Sequence, residues 1–294
     1  MGRIRDHEEI VNNGTGQYKT RPPVAYSAHN YWEERLSQHF DLTGAGYAAL
    51  GPRFNATLYK ARLEALEKGL AFIGRTLKGS SVLEAGCGTG FYTGYCAQQG
   101  VSSYVGLDIT SISVSTLQKR YPNFSFIQSD ISADKIPDLG SGFDIVLAAD
   151  VLFHIVQDVA FENALQNLIS RLRPGGLLII SDVFPANSYE LAYYIRIRSL
   201  NDYSHLFEKY QARISHIEPI FAVFQPPPLM PHMNWLWQGY AWLWRYGWRL
   251  ARWDMIDILL PPVLARLDKY LFLPKWGRHA PNNKWLFAIK DDVA

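Results

Sequence analysis

Apolar positions along this 294-residue chain follow two different periods. From "YWEERLSQHFDL" through "NATLYKARLEALEKGLAFIGRTL" they recur every three or four residues. Leu58, Leu63, Leu66, Leu70 and Ile73 share this spacing with Arg62, which predicts an amphipathic helix. Past Lys78 the pattern changes to short apolar runs separated by helical stretches. "SVLEAG" predicts a first strand, with a helix from about Gly90. "SSYVGLDI" predicts a second strand, "ISVSTLQKRY" a helix ending near Pro122, and "FSFIQSDI" a third strand. "FDIVLAADV" and "GGLLIISDVF" predict the fourth and fifth strands, separated by the helix "VAFENALQNLISRL" and an "RPGG" break. "ISHIEPIFAVF" and "KWLFAIK" read as two final strands. Strands that alternate with helices need crossover connections. The predicted fold class is therefore α/β, a mostly parallel sheet with helices on both faces.

The same pattern divides the chain into four parts. Residues 1–30 are polar, with Gly14, Gly16, Pro22 and Pro23, and read as a mobile arm. Residues 31–78 form an N-terminal helical cover, and 79–225 with 284–291 form the α/β domain. Residues 226–283 are too long for a simple hairpin loop and read as a helical insertion between the last two strands. Seven of the nine tryptophans fall inside it, from Trp235 to Trp276.

On a helical projection of that insertion, Asn234, Gln238, Arg245, Arg249 and Arg252 share one narrow stripe. Trp235, Trp242 and Trp253 line one edge of it, and Trp237, Trp244 and Trp248 the other. Leu236, Leu243 and Leu250 point away. Indole beside guanidinium with an apolar back suits an interfacial helix, so membrane-surface contact through Trp235–Trp253 is one expectation. A substrate lid or a dimer face is the other, and Gly239 and Gly247 weaken the helix in either case.

Composition narrows the function classes. The 29 basic and 27 acidic residues leave a formal +2, so nothing calls for a nucleic-acid partner. Cys87 and Cys96 fit neither a disulfide framework nor a zinc pattern, which favours a reducing compartment. The polar N-terminus is not a secretory signal, and no run approaches the ~18 apolar residues of a membrane span. The expectation is a cytoplasmic protein, in solution or peripheral at the inner face of a membrane.

The chemistry starts at "SVLEAGCGTGFYT". Strand, glycines and helix at the first βα turn of such a sheet form the usual seat of a nucleotide-like ligand, because glycine allows a tight turn and close backbone approach. An ATP-cradling loop needs a Lys after the last glycine, and none follows Gly90. In a dinucleotide fingerprint the third glycine stands one position later than Gly90. Glu84, directly before the glycines, repels a pyrophosphate but suits the ammonium and sulfonium end of S-adenosylmethionine. Asp108, closing "YVGLDI", suits the two ribose hydroxyls. Asp130, in "IQSDI", suits the adenine amino group.

With these residues in place the chain resembles the class I S-adenosylmethionine-dependent methyltransferases. "LEAGCGTG", "GLDI", "SDI", "FDIVLAADVLFHI" and "LRPGGLLIISDVF" match that family's five motifs in order over roughly residues 80 to 185. The resemblance implies a Rossmann-like seven-stranded sheet. It also implies S-adenosyl-L-methionine as cofactor, with S-adenosyl-L-homocysteine as product. Glu84, Gly86, Cys87, Gly88, Gly90, Asp108, Ile109, Asp130, Ile131 and Asp150 are the implied cofactor-binding positions. The fourth and fifth motifs are most similar to ubiquinone-type and natural-product or sugar O-methyltransferases. That implies a small-molecule hydroxyl acceptor: a sugar, a natural product or a lipid-linked molecule.

His154, just past the fourth strand, is the candidate base for such a hydroxyl, or else only shapes the pocket. Asp150 and Asp182 sit where magnesium-dependent catechol methyltransferases carry carboxylates. Val183 replaces the Asn of that pattern, so no metal site is expected. "AADV" lacks the N/D-P-P-Y/F element of nucleic-acid amine methyltransferases, and no Cys stands where base-carbon enzymes need one. N- or C-methylation of a small molecule, or a non-catalytic cofactor-binding scaffold, are the alternatives. Tyr47, Tyr59 and Arg62 either reach the ligand's carboxylate or the acceptor, or pack in the core.

Overall fold

The computed structural model describes residues 26–47, 50–140, 142–227, 235–247 and 254–292. The predicted arm lies mostly outside these residues. Its last part is described, and there a helix, α1 (Ala28–Gln38), already begins. A short α2 (Leu42–Ala45) and a long α3 (Pro52–Phe72) complete the N-terminal cover.

The sheet follows. Strands β1 (Ser81–Ala85), β2 (Ser103–Asp108), β3 (Ser125–Gln128), β4 (Phe143–Ala149) and β5 (Leu172–Asp182) pair in parallel, with β3-β2-β1-β4-β5 as their order. Helices α4 (Phe91–Gln99), α5 (Ser111–Arg120) and α6 (Asp158–Arg171) supply the crossovers. Near the chain's end β9 (Lys284–Lys290) inserts antiparallel between β5 and β8 (Ala212–Pro219), which completes a seven-stranded mixed sheet.

Continuous apolar runs form these strands because both faces are covered, and side chains of period two feed two separate cores. Val82, Ile145, Leu147, Leu177, Ile179 and Phe287 join α3 and α4 on one face. Leu83, Val146, Ala148, Leu178, Ile180 and Leu286 join α6 on the other. Sequence order reverses between β1 and β4, and a ligand crevice opens beyond the carboxyl ends of the strands at such a switch point.

Three local differences from the predicted elements matter. β3 stops at Gln128, so Asp130 stands two residues beyond the strand rather than closing it. β8 ends at Pro219, and "IFAVF" is not strand; Ile220, Phe221 and Phe224 instead plug the core from an irregular segment. Between β5 and β8 lie a hairpin, β6 (Tyr189–Ala192) with β7 (Ile195–Ile197), and a helix, α7 (Leu200–Lys209), that the apolar pattern did not single out. The capping box of Ser199 with Asp202 starts α7 and was legible in sequence.

Among the described residues the insertion is largely helical. It contains α8 (Trp235–Gly247), α9 (Asp254–Leu267), a π-helical turn (Asp268–Phe272) and α10 (Leu273–Trp276). Asn234, Trp248, Arg249, Leu250, Arg252 and Trp253 of the predicted stripe lie outside the described residues.

Candidate active site

The turn after β1 is held against β2: the amides of Gly86 and Cys87 both donate to Leu107 O, at 2.7 and 3.0 Å. Gly86, Gly88 and Gly90 all have positive φ, of 70°, 50° and 82°, where a side chain is strained. Their surroundings differ. A Cβ on Gly86 meets Val151 at 2.3 Å and one on Gly90 meets Leu117 at 2.4 Å, whereas one on Gly88 meets nothing nearer than Gly86 O at 3.9 Å. Gly86 and Gly90 are thus small for packing, and Gly88 leaves an open cradle at the pocket wall.

Two acids flank this turn. Glu84 is 1% exposed, and one carboxylate oxygen accepts hydrogen bonds from Tyr104 Oη and from Thr93 Oγ1 at 3.3 Å. Burial, opposed by those two hydroxyls, pushes its pKa up to about 8. Asp108 accepts from Gly88 N at 2.7 Å with one oxygen and from Thr110 N and Oγ1 with the other, at 2.9 and 2.7 Å. It therefore shapes the glycine turn as well as facing the crevice. Asp130 is exposed and uses one oxygen to bind Ser132 N and Oγ, at 2.8 and 2.6 Å.

Glu84, Gly86, Cys87, Gly88, Asp108, Ile109, Asp130 and Ile131 line one cavity of about 360 Å³, together with Asp150 and His154. Gly90 stands behind it against Leu117. Sequence reasoning expected a helical cover but did not single out the residues that roof the cavity. Tyr26, Ala28, Trp32 and Leu36 close it from α1 and the residues just before it. Glu33 pins that helix by accepting from Ser111 N, Ser111 Oγ and Ile112 N, at 2.6, 2.7 and 3.1 Å, at the start of α5. Thr110 makes no side-chain cap there, so the cap comes from another helix. Burial pushes the Glu33 carboxyl upward, but these donated hydrogen bonds hold it below its ordinary range.

His154 sits in an aromatic basket. Its ring lies 4.9 Å from Trp32, 4.5 Å from Phe153 and 6.0 Å from Tyr194, nearly parallel to the last. Nδ1 lies 3.2 Å from Tyr194 O, so the proton belongs on Nδ1 and Nε2 is the acceptor. Burial lowers its pKa to about 4, which keeps the imidazole neutral at physiological pH.

Asp150 lines the cavity, yet its carboxylate is committed. Arg62 pairs with it at 2.6 Å, and Ser181 Oγ and Asn283 Nδ2 donate to it at 2.6 and 2.7 Å. Asn283 continues to Gln225, and Gln225 to Tyr47 Oη. Arg62 and Tyr47 therefore belong to a buried network behind the pocket wall. Tyr59 is placed differently, at the cavity itself. Asp182, the other carboxylate of the metal pattern, lies outside the cavity lining, fully buried and hydrogen-bonded to Tyr203.

Residues 82–176 match the methyltransferase domain family. The chain is 32% identical over 114 residues to the phthiotriol/phenolphthiotriol dimycocerosates methyltransferase 1 of Mycobacterium ulcerans, covering 38% of this chain and 40% of that protein. It is 29% identical over 111 residues to the ubiquinone biosynthesis O-methyltransferase of Rhizobium etli, covering 37% of this chain and 43% of that one. The chain thus spans about two-fifths of the length of these relatives. Its fold is that of magnesium protoporphyrin IX methyltransferase from Synechocystis PCC 6803, solved with bound S-adenosylmethionine. The TM-score is 0.53 at 14% identity, over 92% of this chain and all of that one. Fold and motif order agree with the family match: residues 82–176 carry a methyltransferase domain.

Proposed function

We propose that this protein is a methyltransferase that uses S-adenosylmethionine to methylate a hydroxyl of a small, largely apolar molecule. The observation that carries the reading is the cavity at the strand ends. There the open cradle at Gly88, the buried Glu84 carboxylate and Asp108 stand together. These residues fit the cofactor: Gly88 admits close backbone approach, and Glu84 sits in a low-dielectric wall where a cationic ammonium is its natural partner. Asp108 keeps acceptor capacity for ribose hydroxyls, and Asp130 has one oxygen beyond its turn bonds for an exocyclic amine. When bound, S-adenosylmethionine supplies an electrophilic methyl on sulfonium.

The chain's own part is to orient the acceptor and take its proton. His154 is the residue for that proton. Its Nδ1 contact with Tyr194 fixes the tautomer that leaves Nε2 as the acceptor. Tyr26 and Trp32 on the cavity wall favour an acceptor with an apolar or aromatic body. The names of the Mycobacterium and Rhizobium relatives, a phthiotriol/phenolphthiotriol dimycocerosates methyltransferase and a ubiquinone biosynthesis O-methyltransferase, agree with such an acceptor. Membrane-surface contact through the insertion would bring an acceptor of that kind within reach.

The test uses methyl-labelled S-adenosylmethionine with lipid and aqueous fractions of a cell extract, comparing the wild type with His154→Gln. Removing a positioned base costs about 10²- to 10⁴-fold in rate. The expected outcome is that loss in turnover with cofactor affinity unchanged. Full activity in His154→Gln assigns the residue to pocket shape alone. Cofactor binding with no label transferred by the wild type to any fraction replaces the enzyme reading with a scaffold.

A further inference from the structure

We infer that the insertion docks this protein on an anionic phospholipid bilayer, through the outward faces of α8 and of the α9–α10 segment. Exposed large apolar side chains are not scattered over the molecule. Among the described residues all but Phe72 and Val159 lie in the insertion. Isolated exposed leucines need no explanation, but their concentration on one segment does.

The two helices are anchored by their other sides. On α8, Tyr240 Oη donates to Val223 O and Gln225 O, and Trp244 Nε1 donates to Val223 O at 3.2 Å. The Trp244 ring meets Phe54 edge-on at 5.5 Å, and Ala241 is buried. With that face seated, Trp235, Leu236, Trp242 and Leu243 form an opposite stripe at helical spacing, each between 59% and 77% exposed. On α9, Leu264 and Ala265 pack on the same core as Phe54, while Leu259, Val263 and Leu267 face solvent, as do Tyr270 and Leu271 just after it. The outward residues are therefore not an unfinished part of the domain's own core.

Charge selects the occupant. Residues 226–283 hold seven Lys and Arg against three Asp, a formal +4 that leaves −2 for the rest of the chain. From Ile258 to Arg278 the single acid, Asp268, is buried and accepts from Ala222 N and Val223 N. Arg266, Lys269, Lys275 and Arg278 are exposed, Lys269 reaching Glu64. A second copy meeting this face would bring like charges together. A bilayer with anionic headgroups meets it with the opposite sign and takes indole and tyrosine rings at its boundary. None of the described helices is long and apolar enough to cross a membrane, so the contact is with the surface. Docking stands on this surface alone; its use for methyl transfer rests on the proposed function.

The test is co-sedimentation of the full chain with vesicles of phosphatidylcholine alone or mixed with phosphatidylglycerol, for the wild type, Leu236→Gln/Leu243→Gln and, as control, Val159→Gln. The wild type and the control should pellet with the mixed vesicles and be released in part by salt. The double variant should partition at least about tenfold less, having lost two buried leucines from the bilayer, while still binding S-adenosylmethionine as proof of fold. A wild type that stays in the supernatant with the mixed vesicles, or a double variant that pellets as well as the wild type, overturns the proposal. So does a dimer, seen by sedimentation velocity without lipid, that the double variant abolishes, because the face then belongs to a second copy. None of these outcomes depends on methyl transfer.

Discussion

If Glu84 holds the cofactor as proposed, its buried carboxylate couples binding to pH. Its pKa of about 8 in the fold stands above the ~4.3 of an unfolded chain, so the fold holds the proton more tightly. That contribution to stability is complete below the unfolded value and is lost as pH rises through 8. Ligand-free protein should therefore lose thermal stability between about pH 5 and 8, less so in Glu84→Gln. A cationic ligand needs the ionised form, so affinity for S-adenosylmethionine should tighten over the same range, by up to about tenfold per pH unit. Calorimetry in two buffers of different ionisation enthalpy reads the released proton. A pH-independent Kd would remove Glu84 from the ammonium site.

The glycines separate by a second measurement at the same scale. Gly90→Ala pushes Leu117 and should cost about 1–2 kcal/mol in urea unfolding. Gly88→Ala meets open space, so beyond the roughly 1 kcal/mol of strain from its positive φ it adds no clash and should also raise cofactor Kd.

At the scale of elements, the decisive contact is α1 on α5. Helix α1 carries Trp32 to the cavity roof, and Glu33 fixes it by capping α5. Charge-assisted hydrogen bonds of this kind are worth about 1.5–3 kcal/mol each at best, less where solvent reaches them as it does here. Glu33→Ala should leave global unfolding nearly unchanged while raising amide exchange in residues 28–38 and speeding cofactor release several-fold. Unaltered exchange there would mean that the aromatic contacts of Tyr26, Tyr31 and Trp32 hold the cover unaided.

For the whole molecule, the Arg62–Asp150 pair ties three parts of the chain together. Arg62 belongs to α3 and Asp150 follows β4. Asn283, which also holds Asp150, is the residue where the chain returns from the insertion to β9. Removing one member of a buried pair leaves the other uncompensated, at a cost of about 3–5 kcal/mol. Arg62→Leu should approach the lower figure, because Asp150 keeps 20% exposure and two other donors. Urea unfolding measures it, and a change below about 1 kcal/mol would reduce the network to local packing.

The strand–helix alternation, the glycine turn and the positions of Glu84 and Asp108 were determined by sequence alone. Each is local: a buried strand must be apolar throughout, a positive-φ turn takes glycine, and an acid beside it is read from the same few residues. What only the tertiary structure decided depends on side chains distant in sequence. Asp150 reads as one more crevice acid until Arg62 and Asn283 arrive at its carboxylate. His154 reads as a candidate base in sequence, but its packing by Trp32 and Tyr194 and the tautomer set by the Tyr194 carbonyl come only from the fold. The tryptophans of α8 show a stripe in sequence, but which side of the helix faces the domain was settled by Tyr240 and Trp244 reaching the carbonyls of Val223 and Gln225. Periodicity specifies that a helix has a face; packing against a distant segment decides which face is left for something else.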